Sequence, residues 1–302
     1  MANAIPSVVL AQAILMGLAT GFTILPALAA VSQFFDKRRA AALGIAVSGS
    51  SIGGIVFPIV LSKLLNDSSL GFGWSVRIMG FAMLPFLLFS CVVIEARLPP
   101  KPTAFLLPRA FLQARFTLLV AAMFFMTMGM WTPLFYIPTF AVTRGMDATL
   151  ASYMLAILNA SSFFGRVIPG VLADKFGRIN IFAVGGVATG IVVACLTRVE
   201  STAGLVVYSI FVGLTSGTII SGASAAFSVC PENVQELGTY MGMGLGVSSL
   251  AALIGPPITG KFVDTYGGFF EASIFSGMVC IVGGFIAFAA KATNPQGLWG
   301  NI

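Results

Sequence analysis

The stretch Asn159-Ala-Ser-Ser-Phe-Phe-Gly165-Arg166-Val-Ile-Pro169-Gly170-Val-Leu-Ala-Asp174-Lys175-Phe-Gly177-Arg178 decides the fold. Its first half reads as a membrane helix with Arg166 buried inside it. Its second half reads as a tight charged turn around Gly177. Long apolar runs flank it on both sides. An arginine held in hydrocarbon costs about 2.5–3.5 kcal/mol even on mild insertion scales, so it needs a partner or a task.

The whole chain agrees with that reading. It is 58% hydrophobic and 9% charged over 302 residues, far more apolar than a soluble core requires. The net charge of +6 falls in short clusters between apolar runs, not on a basic patch, so no nucleic-acid partner is expected. The chain has no histidine, which removes the commonest metal ligand and neutral-pH acid–base group. Cys91, Cys195, Cys230 and Cys280 show neither metal spacing nor a disulfide framework, and read as packed free thiols. No cofactor is implied, and no phosphate-binding loop supports coupling to ATP.

A hydrocarbon core of ~30 Å takes about 20 apolar residues per helix. By that measure there are nine spans: 6–33, 40–63, 76–94, 116–142, 149–172, 179–197, 204–229, 238–262 and 270–290. The expected fold class is an all-α, multi-pass membrane protein whose partner is the lipid bilayer. The N-terminus lacks the basic flank of a signal peptide and reads as a span. Lys37, Arg38, Arg39, Arg97, Lys101, Arg109, Arg115, Lys175, Arg178 and Lys291 share one face, against Lys63, Arg77, Arg144, Arg198 and Lys261 on the other. The first face is therefore cytoplasmic, with the N-terminus outside and the C-terminus inside. Asn66-Asp67-Ser68 is a glycosylation sequon on the outer side. Leu98-Pro-Pro-Lys-Pro102 predicts a stiff extended linker. It divides the chain into 1–96 with three helices, a cytoplasmic linker over 97–115, and 116–302 with six.

The chain also repeats itself. Gly17-Leu-Ala-Thr-Gly21 matches Gly213-Leu-Thr-Ser-Gly217 at an offset of 196, and Ser50-Ser-Ile52 matches Ser248-Ser-Leu250 at 198. At the same offset of 198, Gly44 meets Gly242, Pro58 meets Pro256 and Lys63 meets Lys261. Spans 1–3 thus correspond to spans 7–9.

The turn Gly170-x-x-x-Asp174-Lys175-x-Gly177-Arg178 resembles the loop signature of the major facilitator superfamily. Phe34-Phe-Asp-Lys-Arg-Arg39, followed by Ala42, Gly44, Ala46, Gly49 and Gly53, resembles the fifth-helix signature of its monocarboxylate porters. Gly71-Phe-Gly-Trp74 through Arg77, with Asn159 to Arg166, is similar to the fungal members. The resemblance implies two parallel six-helix halves, a secondary transporter working by alternating access, and a loop that latches helix ends. Set on that plan, the chain reads as a twelve-helix transporter lacking its first three helices, the other reading being a natural nine-helix protein. Animal members carry an acidic residue where this chain has Ser162, and a first-helix lysine that it does not contain, so proton–lactate symport is not implied. Fungal relatives include vitamin carriers and exporters of secondary metabolites.

Asn159, Ser162, Arg166 and Gly170 are spaced 3, 4 and 4 apart and form one stripe. The stripe is expected to face the bundle interior or a water-filled cavity, with Arg166 holding a carboxylate of a small-molecule substrate; a structural arginine bonded to backbone carbonyls is the competing reading. Tyr136, between Pro133 and Pro138, is the further substrate candidate. Gly17/Gly21, Gly49/Gly53, Gly213/Gly217 and Gly242/Gly246 read as close helix packing. A non-transporting membrane remnant or interaction partner stays open beside transport. A membrane enzyme does not fit a chain without histidine or paired intramembrane carboxylates. The sequence sets neither the oligomeric state nor the substrate, and the plasma membrane is the expected location.

Overall fold

Hydrocarbon leaves a spanning backbone no partner but itself, so each apolar run must close its own hydrogen bonds as a helix. The computed structural model describes residues 9–98 and 106–293, and it forms nine long helices there. They are α1 (Met16–Phe34), α2 (Arg39–Asn66), α3 (Gly71–Val93), α4 (Ala114–Thr143), α5 (Ala148–Phe176), α6 (Arg178–Ala194), α7 (Thr202–Phe227), α8 (Leu237–Tyr266) and α9 (Phe270–Ala292). A π-helical turn, Val9–Leu15, leads into α1. Eight of these elements are long and apolar enough to cross a membrane, and α6, at 17 residues, is shorter. Alone α6 reaches about 25 Å, and the 3-10 turn Leu196–Arg198 extends it to about 30 Å.

The helix ends follow local chemistry. Asp147 caps α5 by accepting the backbone N–H of Thr149 (2.9 Å) and Leu150 (3.2 Å), which hold its carboxyl below the usual value. Ser201 caps α7 in the same way through Gly204. Gly71-Phe-Gly-Trp74, expected to precede the third span, joins α3, with Gly71 supplying φ 70° at its start. Most of the proline linker, residues 99–105, lies outside the described residues; beyond it Pro108–Leu112 forms a 3-10 turn before α4.

Helices α4 to α9 pack on one another most heavily as α5 on α7, α6 on α9, and α4 on both α8 and α9. Phe116, Phe182 and Phe227 are fully buried among them. The ring of Phe116 meets Phe227 at 6.0 Å and Tyr240 at 5.0 Å. From the first part of the chain, α2 packs against α5, and α1 against α2 and α8. Along α3 only Ser75 is buried, as suits a helix facing lipid.

Lipid tails are as apolar as leucine, so association inside a bilayer rests on close packing of small residues. Of the four glycine pairs read from the sequence, only Gly213/Gly217 meets a neighbouring backbone, that of α5. A Cβ on Gly17, Gly21, Gly49 or Gly246 would meet nothing within 4 Å; on Gly53 it would meet only Phe57 of the same helix, and on Gly242 only Leu25 at 3.7 Å. Those pairs sit on open faces of this bundle, and spacing alone does not say which face a partner covers. The close approach in α2 is instead at Gly44, where a Cβ would lie 2.6 Å from the Arg166 carbonyl oxygen. Gly44→Ala should therefore push α2 from α5 and cost about 1–3 kcal/mol, seen as a lower apparent Tm in detergent. Gly49→Ala, with free space around it, should leave Tm unchanged; equal effects would contradict this packing.

Candidate functional site

The crossing of α2 over α5 gathers most of the predicted site. Small residues set it: a Cβ on Gly170 would lie 2.9 Å from the Ala40 carbonyl oxygen, and one on Gly54 would lie 2.5 Å from Asn159 Oδ1. Asn159, Arg166 and Gly170 thus all face α2. Ser162 does not. At 100° per residue it sits about 60° behind Asn159, while Arg166 and Gly170 fall within about 20° of it. Ser162 is buried against Gly217 of α7.

Arg166 is 6% exposed and lies in this helix contact. Its Nη1 donates to the Val47 carbonyl oxygen (3.0 Å) and to Ser50 Oγ, both on α2. The backbone-carbonyl bond is the one the structural reading required. It does not use up the guanidinium, however. Nε is buried with no hydrogen-bond partner among the described residues, and no bond of Nη2 is seen there. The Nε–Nη2 edge is the planar fork that takes a carboxylate two-handed.

At the end of α5, from Asp174 onward, the stripe gives way to the charged turn. Helix α2 begins with no capping side chain of its own, since Arg38 occupies the cap position. Its first N–H groups need an acceptor from elsewhere. Asp174 supplies it: Oδ1 accepts from the N–H of Ala40 (3.1 Å) and Oδ2 from that of Ala41 (2.9 Å). These are the donors that a local cap would satisfy, and the positive helix end favours the carboxylate further. Arg178 pairs with Asp174 Oδ1 at 3.6 Å, the side chains being 15% and 9% exposed respectively. Arg178 also donates Nη1 to Ser228 Oγ (3.2 Å) beyond α7 and Nη2 to the Asp36 carbonyl oxygen (3.3 Å) between α1 and α2. Gly177 makes the turn at φ 94°, where other residues are strained. Lys175 is exposed beside it.

Tyr136 stands apart from Arg166. Its hydroxyl donates to the Pro256 carbonyl oxygen of α8 at 3.5 Å, and its ring packs on Phe269. Tyr136 lies about 10 Å from the end of α4, and Arg166 about 27 Å from the adjoining start of α5, so they differ by about 16 Å in depth. Asn66 ends α2 at the edge opposite the Asp174 turn, exposed, its Nδ2 donating to Ser62 Oγ at 3.2 Å. All four cysteines are free. Cys230 and Cys280 are buried as expected, but Cys91 and Cys195 are exposed. Burial pushes the Cys230 thiol, beyond the end of α7, up to about 12.

Long apolar helices packed on one another through small residues define an all-helical, multi-pass membrane protein. The chain belongs to the Major Facilitator Superfamily, whose family model matches residues 1–243 and again 163–301. It is 46% identical over 288 residues to the aspyridones efflux protein apdF of Emericella nidulans, covering 95% of this chain and 59% of that one. It is 39% identical to the agnestins efflux protein AgnL12 of Paecilomyces divaricatus, covering 96% and 66%. The chain thus spans only about three fifths to two thirds of these relatives. Among solved structures, the transporter FucP in its outward conformation superposes with a TM-score of 0.67 at 15% identity, covering 86% of this chain and 70% of that one. That likeness gives the fold.

Sequence reasoning missed the α2 side of the site: the carbonyl of Val47, Ser50, and the N–H groups of Ala40 and Ala41. One signal was present. A helix starting after Lys37-Arg38 has no side-chain acceptor at its cap, and such an end has to borrow one.

Proposed function

We propose that this protein is a secondary exporter of a small, acidic organic metabolite, working by alternating access. The observation that carries the reading is Arg166. It is a buried cation with one nitrogen anchored on α2 and its Nε without a partner among the described residues. A carboxylate or similar acid taking the Nε–Nη2 edge is the natural ligand. Because Nη1 tethers α2, an anion drawing the guanidinium toward itself competes with the tether between the two helix groups. Asn159 flanks this point on the same face, and Ser162 lies behind it on the side of α5 that packs on α7. Tyr136, at another depth, is a second contact on the same path.

Under this reading the Asp174–Arg178 cluster is the latch that closes the basic end, which faces the cytoplasm. The unit that rocks has two six-helix halves, to which this chain gives three helices and six. The fifth-helix motif over Phe34–Arg39 supports the monocarboxylate porter-like branch. The efflux names of the relatives support export, and an outward direction suits the plasma membrane. The test loads cells with aspyridones, agnestins or simple carboxylates and follows release with and without the protein. Faster release of an acidic compound, unmatched by its methyl ester, is expected. Equal release of acid and ester would overturn the anion reading.

A further inference from the structure

A groove of about 870 Å³ opens beside the latch, between the end of α1, the start of α2 and the end of α5. Its mouth carries Lys37, Arg38 and Lys175, all exposed. No side-chain hydrogen bond or ion pair of these three is seen among the described residues, and the salt bridges there belong to Arg39 and Arg178. The acid on its wall, Asp174, has both oxygens engaged by Ala40, Ala41 and Arg178. Three cations against one carboxylate leave the mouth positive. Deeper in, the walls are apolar, with Ile45 59% and Val171 44% exposed and Ala46 beside them.

We propose that this groove binds one anionic phospholipid, its phosphate among Lys37, Arg38 and Lys175 and an acyl chain along Ile45, Ala46 and Val171. Charge above and hydrocarbon below fit an amphiphile in a bilayer leaflet, and basic pockets between membrane helices take acidic headgroups for this reason. A free phosphate would use the mouth and gain nothing from the walls. Lys175 belongs to α5, and Lys37 and Arg38 to the connection into α2. A bound headgroup therefore ties the two sides of the latch without touching Asp174. The binding does not depend on the substrate assigned to Arg166.

Native mass spectrometry of the purified protein, titrated with dioleoyl-phosphatidylglycerol or dioleoyl-phosphatidylcholine, tests it. One phosphatidylglycerol should be retained, and phosphatidylcholine should not. Each cation removed should weaken binding roughly fivefold, so Lys175→Gln gives about fivefold and the triple Lys37→Gln, Arg38→Gln, Lys175→Gln roughly a hundredfold. Arg97→Gln with Arg109→Gln, off the groove, should change nothing. Ala46→Trp keeps every charge and fills the groove; it should also lose the lipid, and it decides the matter if the triple variant does not fold. Equal retention of phosphatidylcholine, equal loss in the Arg97 and Arg109 variant, full retention in Ala46→Trp, or displacement by excess inorganic phosphate would each overturn the proposal.

Discussion

Arg166→Ala is expected to abolish transport of an acidic substrate while the protein stays in the membrane at near-normal level. Removing the charge relieves about 2.5–3.5 kcal/mol of insertion cost. It strands little, because Ser50 Oγ also donates to the Val47 carbonyl oxygen at 2.9 Å, so neither former partner of Nη1 is left alone. Arg166→Lys separates the two roles of the side chain. An ammonium can still donate to Val47 and Ser50, but it cannot present a planar fork to a carboxylate. The lysine variant should therefore keep the stability of the α2–α5 crossing and recover little transport. Normal transport by Arg166→Ala would make the side chain structural. Full rescue by lysine would place the tether, not the fork, at the centre.

Asp174→Ala is expected to reduce transport at least tenfold, again with little loss of protein. Both N–H bonds to α2 and the pair with Arg178 disappear together. Hydrogen bonds to a charged group contribute about 1.5–3 kcal/mol each, and every 1.4 kcal/mol is about tenfold in the balance of closed and open states. Asp174→Asn keeps one oxygen but presents an N–H₂ to a helix end that already offers donors, and should behave almost like alanine. Glutamate, one methylene longer, should recover part of the activity. Wild-type rates in Asp174→Ala, measured in the efflux assay, would dissociate the latch from transport.

The nine helices among the described residues were legible in the sequence because bilayer thickness sets their length, and an unbroken apolar run of about 20 residues can close its own hydrogen bonds in a bilayer only as a helix. The turn from Gly170 to Arg178 was legible because charged residues beside a glycine between apolar runs have few other uses. Long-range pairing was not. That Asp174 caps a helix 133 residues earlier follows from how α2 crosses α5; Gly44 stood out only as part of a motif and a repeat, Gly54 not at all, and neither showed that it permits the crossing. Ser162 was assigned to the stripe by counting threes and fours. The 60° it lags is enough to turn it to α7, because stripes of that spacing drift around a helix of 3.6 residues per turn. Three of the four glycine pairs failed for a related reason: spacing marks a smooth face and not what lies against it.

Under the proposed function, one end of the bundle opens and closes by making and breaking the Asp174 contact with α2. Spin labels at Phe35, in the connection before α2, and at Phe176, at the end of α5, straddle that contact. Electron–electron distance measurements in nanodiscs should give one short population for the unaltered latch, and a second, longer population in Asp174→Ala. A single short population in both proteins would contradict the account.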